Sequence, residues 1–359
     1  EAKELKEVKK AFPTPRLTKI EHEIEEIVID KVAMIPQEQV MFTISRDGYV
    51  KRVSMRSYGA ANDAMTGIKE GDHLIGYGEV NTLDNILFFT SKGTYGYVPV
   101  YEVDDAKWKE IGSHINSKIK ITSDEKITDA FIVKDFKTNA YMLSITRHGL
   151  VKKTAICEYE VSRNNKTMSN MKLLEDDEVV QTYVAYEEDE ILIASKKGYI
   201  TRYPISLIPA TSPRSKGVKA MNLVEDEIAS ALIYNNDNRQ LVVFSDNCAC
   251  KRMKLTDIDV TGRPTKGSML CKKVKSKPYH IAYISLHDLN DEIVIANSEI
   301  HKVVSKDIPL MAKDATFSAM LKGITDFYLL KELPKVELRE LPKQEEVEEE
   351  DFEALSLFE

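Results

Sequence analysis

One octapeptide pattern recurs through this chain and strongly limits what it can fold into. Ser45-Arg46-Asp47-Gly48-Tyr49-Val50-Lys51-Arg52 follows an apolar run at 40–44. The pattern returns at 146–153, at Ser195-Lys196-Lys197-Gly198-Tyr199-Ile200-Thr201-Arg202 and at 245–252, each time behind an apolar run. Weaker copies start at Thr90 and Ala296. A unit of this size cannot bury its own apolar face, so such units stack and share a core.

Each unit reads the same way. An apolar strand leads into a tight turn with glycine at Gly48, Gly93, Gly149 or Gly198, where a hairpin needs positive φ. A second strand ends in a basic pair. A short amphipathic piece and a polar loop then lead to another glycine, at Gly67, Gly112, Gly217 or Gly267. After an acidic turn, an apolar strand closes the unit. Six units of about four strands, starting near 38, 83, 139, 189, 239 and 289, predict an all-β, six-bladed propeller-like disc over 38–330. Residues 1–37 form a leading segment with a helix over 1–12 and a strand or linker over 21–31. The missing initiator Met at Glu1 suggests a fragment of a longer chain. Residues 331–359 carry 4 Lys/Arg against 11 Asp/Glu and read as a disordered acidic tail.

The net charge of -8 argues against nucleic acid until it is located. The tail holds much of it, whereas 239–280 carries 10 Lys/Arg and 3 Asp. Local fields rather than the total decide binding. The basic pairs are Lys51-Arg52, Lys152-Lys153, Thr201-Arg202, Lys251-Arg252 and Lys302-Val303, with a gap at Gly96-Tyr97. Cations at one position of a ring suit a duplex that meets one phosphate after another, without base specificity. The companion loops add Arg214, Lys216, Lys219, Lys266, Lys272 and Lys273. The gap predicts a partial path centred on the fifth blade. The acidic tail, lying on this track, would compete with DNA.

Other chemistries find little support. The seven His are not spaced as metal pairs, and no phosphate loop, dinucleotide fingerprint or nucleophile elbow occurs. The acidic clusters read as solvated turns. Cys157, Cys248, Cys250 and Cys271 lack zinc spacing and read as buried thiols of a reducing cytoplasm. No run approaches the ~20 apolar residues of a membrane helix. A protein-interaction propeller would bind through an apolar patch, and a propeller enzyme would need converging carboxylates or His.

The chain resembles the C-terminal domains of the A subunits of bacterial type IIA topoisomerases. The resemblance rests on Leu-Lys-Glu-Val-Lys-Lys at 5–10, Pro15-Arg16, Glu-Glu-Ile-Val-Ile-Asp at 25–30, the stretches 46–52 and 195–202, and Arg-Ser-Lys-Gly-Val-Lys at 214–219. It covers nearly all of 1–330 and implies a β-pinwheel with DNA bent around a basic rim. The gyrase branch carries a box of the type Gln-x-x-Arg-Gly-Gly-x-Gly. Here the corresponding loop reads Gly-Ala-Ala-Asn-Asp-Ala-Met-Thr-Gly at 59–67. The decatenating topoisomerase IV branch is therefore expected, with gyrase carrying a degenerate box as the alternative. The resemblance further implies no catalytic residue or cofactor in this chain, with ATP and Mg acting elsewhere in the holoenzyme. The partners it implies are double-stranded DNA, an ATPase B subunit, plus the rest of a dimeric A subunit, in the nucleoid-containing cytoplasm.

Overall fold

The computed structural model describes residues 2–11, 31–161, 165–235 and 237–340. The strand or linker expected before Lys31 and the acidic end after Glu340 lie outside them. The chain forms two compact units, residues 1–35 and 36–359. In the first, Ala2–Ala11 is an α-helix and Val32–Met34 a single 3-10 turn.

The second unit is a six-bladed, propeller-like array of small antiparallel sheets. Its local logic starts at the hairpin. Gln39–Ser45 pairs with Tyr49–Ser54, with Thr43 opposite Lys51 and Phe42 opposite Arg52. The turn glycines Gly48, Gly149 and Gly198 take φ values of 99°, 92° and 95°. In the fifth unit Cys248 stands at this place with φ 62°. Cys248, Cys250 and Cys271 are buried free thiols, whereas Cys157 is exposed.

The acidic turns do more than face water. Asp72 accepts the backbone N–H groups of Asp47 at 3.0 Å and His73 at 2.7 Å. Asp177 does the same for His148 and Glu178, and Asp226 for Lys197 and Glu227. These carboxylates fasten the closing strand to the hairpin, and Asp72 and Asp177 are buried.

The fourth strand of a blade comes from the next repeat. The first sheet runs Leu74–Asn81, Gln39–Ser45, Tyr49–Ser54 and then Ser113–His114. Met168–Ser169, Val218–Lys219 and Ser268–Met269 complete the second, third and fourth sheets in the same way. This exchange explains three of the second column's glycines, while Gly67 packs instead on Lys109 O of the following repeat. A Cβ on Gly267 (φ 80°) would lie 2.2 Å from the Ile200 carbonyl oxygen of the preceding blade. Gly112 and Gly217 sit equally close to Val50 and Val151.

The closing strands face the centre, and side chains stitch them together. Asp129 Oδ2 accepts from Thr182 N at 2.7 Å, Tyr183 Oη donates to Ala231 O at 2.6 Å, and Ser230 Oγ accepts from Ile284 N at 3.2 Å. The largest apolar clusters lie between neighbouring blades, as where Phe42 and Ile44 pack with Ile86 and Phe88.

The sixth blade closes the ring differently. Its outer strand, Ile300–Val304, has no further strand partner among the described residues. Tyr328 stacks on His73 of the first blade, with ring centroids 4.7 Å apart. Residues 331–340, expected as the start of a disordered tail, instead form a docked strap. Leu333 packs on Gly76 and Gly78, and Lys335–Val336 pairs in parallel with Ile127–Val133. Leu333 and Val336 are buried, and Tyr186 Oη donates to Glu337 O. Apolar side chains at two- to three-residue spacing outweigh the segment's charge locally.

Candidate nucleic-acid interface

The basic pairs are where sequence and structure part. Lys51, Lys152 and Lys251 are at most 1% exposed, Lys153 3% and Arg252 9%. These five side chains cannot reach a phosphate in this conformation. The first member of the pair is buried and donates to enclosed oxygen atoms. Lys51 Nζ donates to Trp108 O at 2.7 Å and also to Glu110 O. Lys251 Nζ donates to Leu270 O, Lys313 O and, at 2.8 Å, Ala315 O. Lys152 meets Thr154 and Tyr159. Burial pushes Lys51 and Lys251 down to about 8 and Lys152 to about 7.

The second member grips the 3-10 turn of the following repeat. Lys153 Nζ donates to Ile205 O at 3.2 Å, and Arg252 Nε to Ile308 O at 3.0 Å. Arg202 Nη1 donates to Ile258 O at 3.0 Å while its Nε pairs with Glu190. Arg52 pairs with Asp105 and donates to Tyr101 O. Arg52 and Arg202 keep partial exposure. The gap in the second unit is filled in kind, because Tyr97 Oη donates to Val161 O at 2.8 Å and Phe88 packs on Gly96. The basic column is thus an inter-blade clamp. In the sixth unit the turn is shorter, so His301 takes the place of Lys51 and Lys302 that of Arg52, beside Glu292. Among the described residues no seventh repeat follows for it to grip.

The exposed cations stand on the loops instead. Arg214, Lys216, Lys219, Lys266, Lys272 and Lys273 are all exposed. These loops lie at the perimeter, beside the outermost fourth strands. They abut: Lys172 N donates to Ser215 O at 3.0 Å, Asn222 N to Thr265 O at 2.8 Å, and Arg263 Nη1 to Lys219 O at 2.8 Å. Segments 211–224 and 260–281 hold three and six Lys/Arg, respectively, and no Asp or Glu, so the joined ribbon is uniformly positive. Lys120, Lys166 and Lys172 extend it on the preceding loops and are exposed. The sequence reading missed them. Their signal was present, since Lys166, Lys216 and Lys266 recur at one spacing through three successive repeats.

Among the described residues, no group of three or more His, Cys, Asp or Glu could hold a metal ion. Nor is any described helix long and apolar enough to cross a membrane.

Comparison with known proteins places the fold. The chain is 33% identical to a solved structure described as the C-terminal domain of DNA topoisomerase IV, with a TM-score of 0.73 over 82% of this chain and 94% of that one. A structure of the DNA gyrase A C-terminal domain shares the fold at 21% identity, with a TM-score of 0.64 over 82% of this chain and 98% of that one. The A subunit of DNA topoisomerase 4 from Staphylococcus epidermidis is 34% identical over 83% of this chain, and that from a Staphylococcus aureus strain 36% over 77%. The chain covers only 37% and 35% of those two proteins. The family model described as DNA gyrase C-terminal domain, beta-propeller matches residues 39–76, 84–134, 140–185, 189–235 and 239–286, one segment for each of the first five blades. On that match, the chain belongs to the DNA gyrase C-terminal domain, beta-propeller family.

Proposed function

We propose that this domain binds duplex DNA along its perimeter loops, with the path centred on the fourth and fifth repeats. The observation that carries this reading is the ribbon of nine Lys/Arg without an acidic residue on two abutting loops, 211–224 and 260–281. Arg214, Lys216, Lys219, Lys266, Lys272 and Lys273 are its phosphate contacts. Arg52 and Arg202 contribute only their long-range field. Lysines on exposed loops meet the sugar-phosphate backbone, so binding is indifferent to base sequence. Wrapping a duplex on so small a disc costs several kcal/mol, which favours a partial bend.

The similarity to topoisomerase 4 A subunits supports a finer assignment. The domain acts as the DNA-positioning part of a topoisomerase IV A subunit, presenting the transported duplex for ATP-dependent decatenation and relaxation. Its working partners are the ATPase subunit, together with the rest of the dimeric A subunit, in the bacterial cytoplasm at the nucleoid. Cleavage chemistry, ATP and Mg belong to those other regions. The loop 59–67, which lacks the gyrase-type box, favours this branch over gyrase.

Anisotropy titration of the domain with labelled duplexes of unrelated sequence tests the binding claim. Equal affinities that fall steeply with salt are expected. A sequence-selective or salt-indifferent response contradicts it. For the branch, the complete enzyme is expected to decatenate and to relax; net negative supercoiling of relaxed plasmid would assign it to gyrase.

A further inference from the structure

Beside the perimeter ribbon lies a cavity of about 440 Å³ between the fourth hairpin and the loop that follows the fifth repeat's outer strand. Its walls are apolar: Leu223, Val224, Val274 and Tyr279, with Tyr199 at one side. Val224 is 64% exposed and lines this cavity together with Leu223, Val274 and Tyr279, so the apolar surface there is contiguous rather than scattered. The rim is cationic. Lys266 Nζ lies 4.6 Å and Lys273 Nζ 5.6 Å from the Tyr199 ring centroid, and Lys197 and Lys275 also line the opening. The one carboxylate in the lining, Asp226, already accepts from two backbone N–H groups. The two ammonium groups hold the Tyr199 phenol below its usual range, Lys273 most strongly.

An apolar socket ringed by lysines suits a ligand with both characters. A duplex phosphate would use the lysines and leave Val224 and Val274 uncovered. We propose that this pocket docks an acidic protein segment carrying one bulky apolar side chain, which seats against Val224 and Val274 while its carboxylates meet Lys266, Lys273 and Lys275. Lys266 and Lys273 also belong to the perimeter ribbon. The occupant and duplex DNA therefore exclude one another there, a consequence that rests on the DNA reading, whereas the pocket itself does not.

The test is a fluorescence titration of the full chain with a labelled peptide, Asp-Asp-Glu-Phe-Glu-Asp. Micromolar binding is expected. Exchanging the peptide's Phe for Ser, or Val224→Asp in the protein, should each weaken it ~10-fold or more, as loss of a seated anchor does. Lys273→Glu should weaken it as well. Val224 is exposed, so Val224→Asp leaves the fold intact, and its unchanged denaturation midpoint serves as the control. Equal binding of the Ser peptide, or no effect of Val224→Asp, overturns the proposal by reducing the site to a plain cationic surface. Tyr199-dependent binding of an oligothymidylate in place of the peptide overturns it in favour of unpaired nucleic acid. Added duplex should displace the peptide. Failure of duplex to bind at all removes only that last arm, and tight peptide binding unaffected by bound duplex overturns the exclusion.

Discussion

Lys251 Nζ lies 2.8 Å from the carbonyl oxygen of Ala315, which belongs to the next repeat. The same ammonium also holds Leu270 O and Lys313 O. A cation that looks like a phosphate ligand in the sequence is therefore a structural donor, buried and shared among backbone oxygens of two repeats. In the first blade Lys51 likewise donates to backbone oxygens of the next repeat, Trp108 O and Glu110 O.

Lys251→Met keeps most of the side-chain volume and removes the donor. It leaves several buried carbonyl groups unpaired and should cost about 3 kcal/mol of stability. Urea denaturation measures this. Duplex affinity of the folded variant should stay within about twofold of the parent, well under the 1.4 kcal/mol that a tenfold change represents.

The clamp lysines also set a pH dependence. Burial lowers Lys152 to about 7, while an unfolded lysine keeps its proton up to its ordinary range near 10.5. Between those values the unfolded chain binds more protons, so this group makes stability rise with pH. Lys51 and Lys251 act in the same direction from about 8 upward. The urea midpoint should increase from pH 7 to pH 9.5 on this account, and Lys152→Met should flatten the increase.

Two glycines separate packing from composition. Gly267→Ala places a methyl group 2.2 Å from Ile200 O at φ 80° and should destabilise by about 2 kcal/mol or more. At Gly262 nothing lies within 4 Å of a Cβ, and φ is not positive. Gly262→Ala should change stability by less than about 0.5 kcal/mol. Thermal melts of the pair check the difference.

The strap gives a fourth prediction. Leu333 is buried against Gly76 and Gly78, and Lys331 reaches Asp129 at 3.5 Å. Leu333→Ala should cost about 3 kcal/mol. Ending the chain after Leu330 should lower the melting temperature relative to ending it after Glu340.

The fold was legible because its determinants are local and repeated. The turn glycines of four units, and the apolar runs and closing strands of all six, each report a backbone conformation or a strand period that the repeats reinforce. The strand exchange was not legible: Gly217 announces a close approach, but nothing in the sequence says that the approached backbone, Val151, belongs to the previous blade. That same exchange misled the site reading. A lysine exposed at the edge of a three-stranded blade becomes buried once the next repeat covers it, as Lys51 does beneath Trp108 O and Glu110 O. The loop cations Arg214, Lys216, Lys219 and Lys266 were legible as candidates because they flank the second glycine column, at Gly217 and Gly267. The docked strap was hidden by a composition dominated by the charges beyond it.

The central claim is that the loop cations, and not the basic pairs, carry DNA binding. A salt titration of duplex affinity tests it most directly, comparing the parent with a variant in which Lys216, Lys219, Lys266 and Lys273 are changed to Gln, and with Lys251→Met. The loop variant should lose affinity and flatten the slope of log affinity against log salt by roughly 0.9 for each phosphate contact removed. Lys251→Met should keep the parental slope. An unchanged slope in the loop variant, or a flattened one in folded Lys251→Met, would contradict the account.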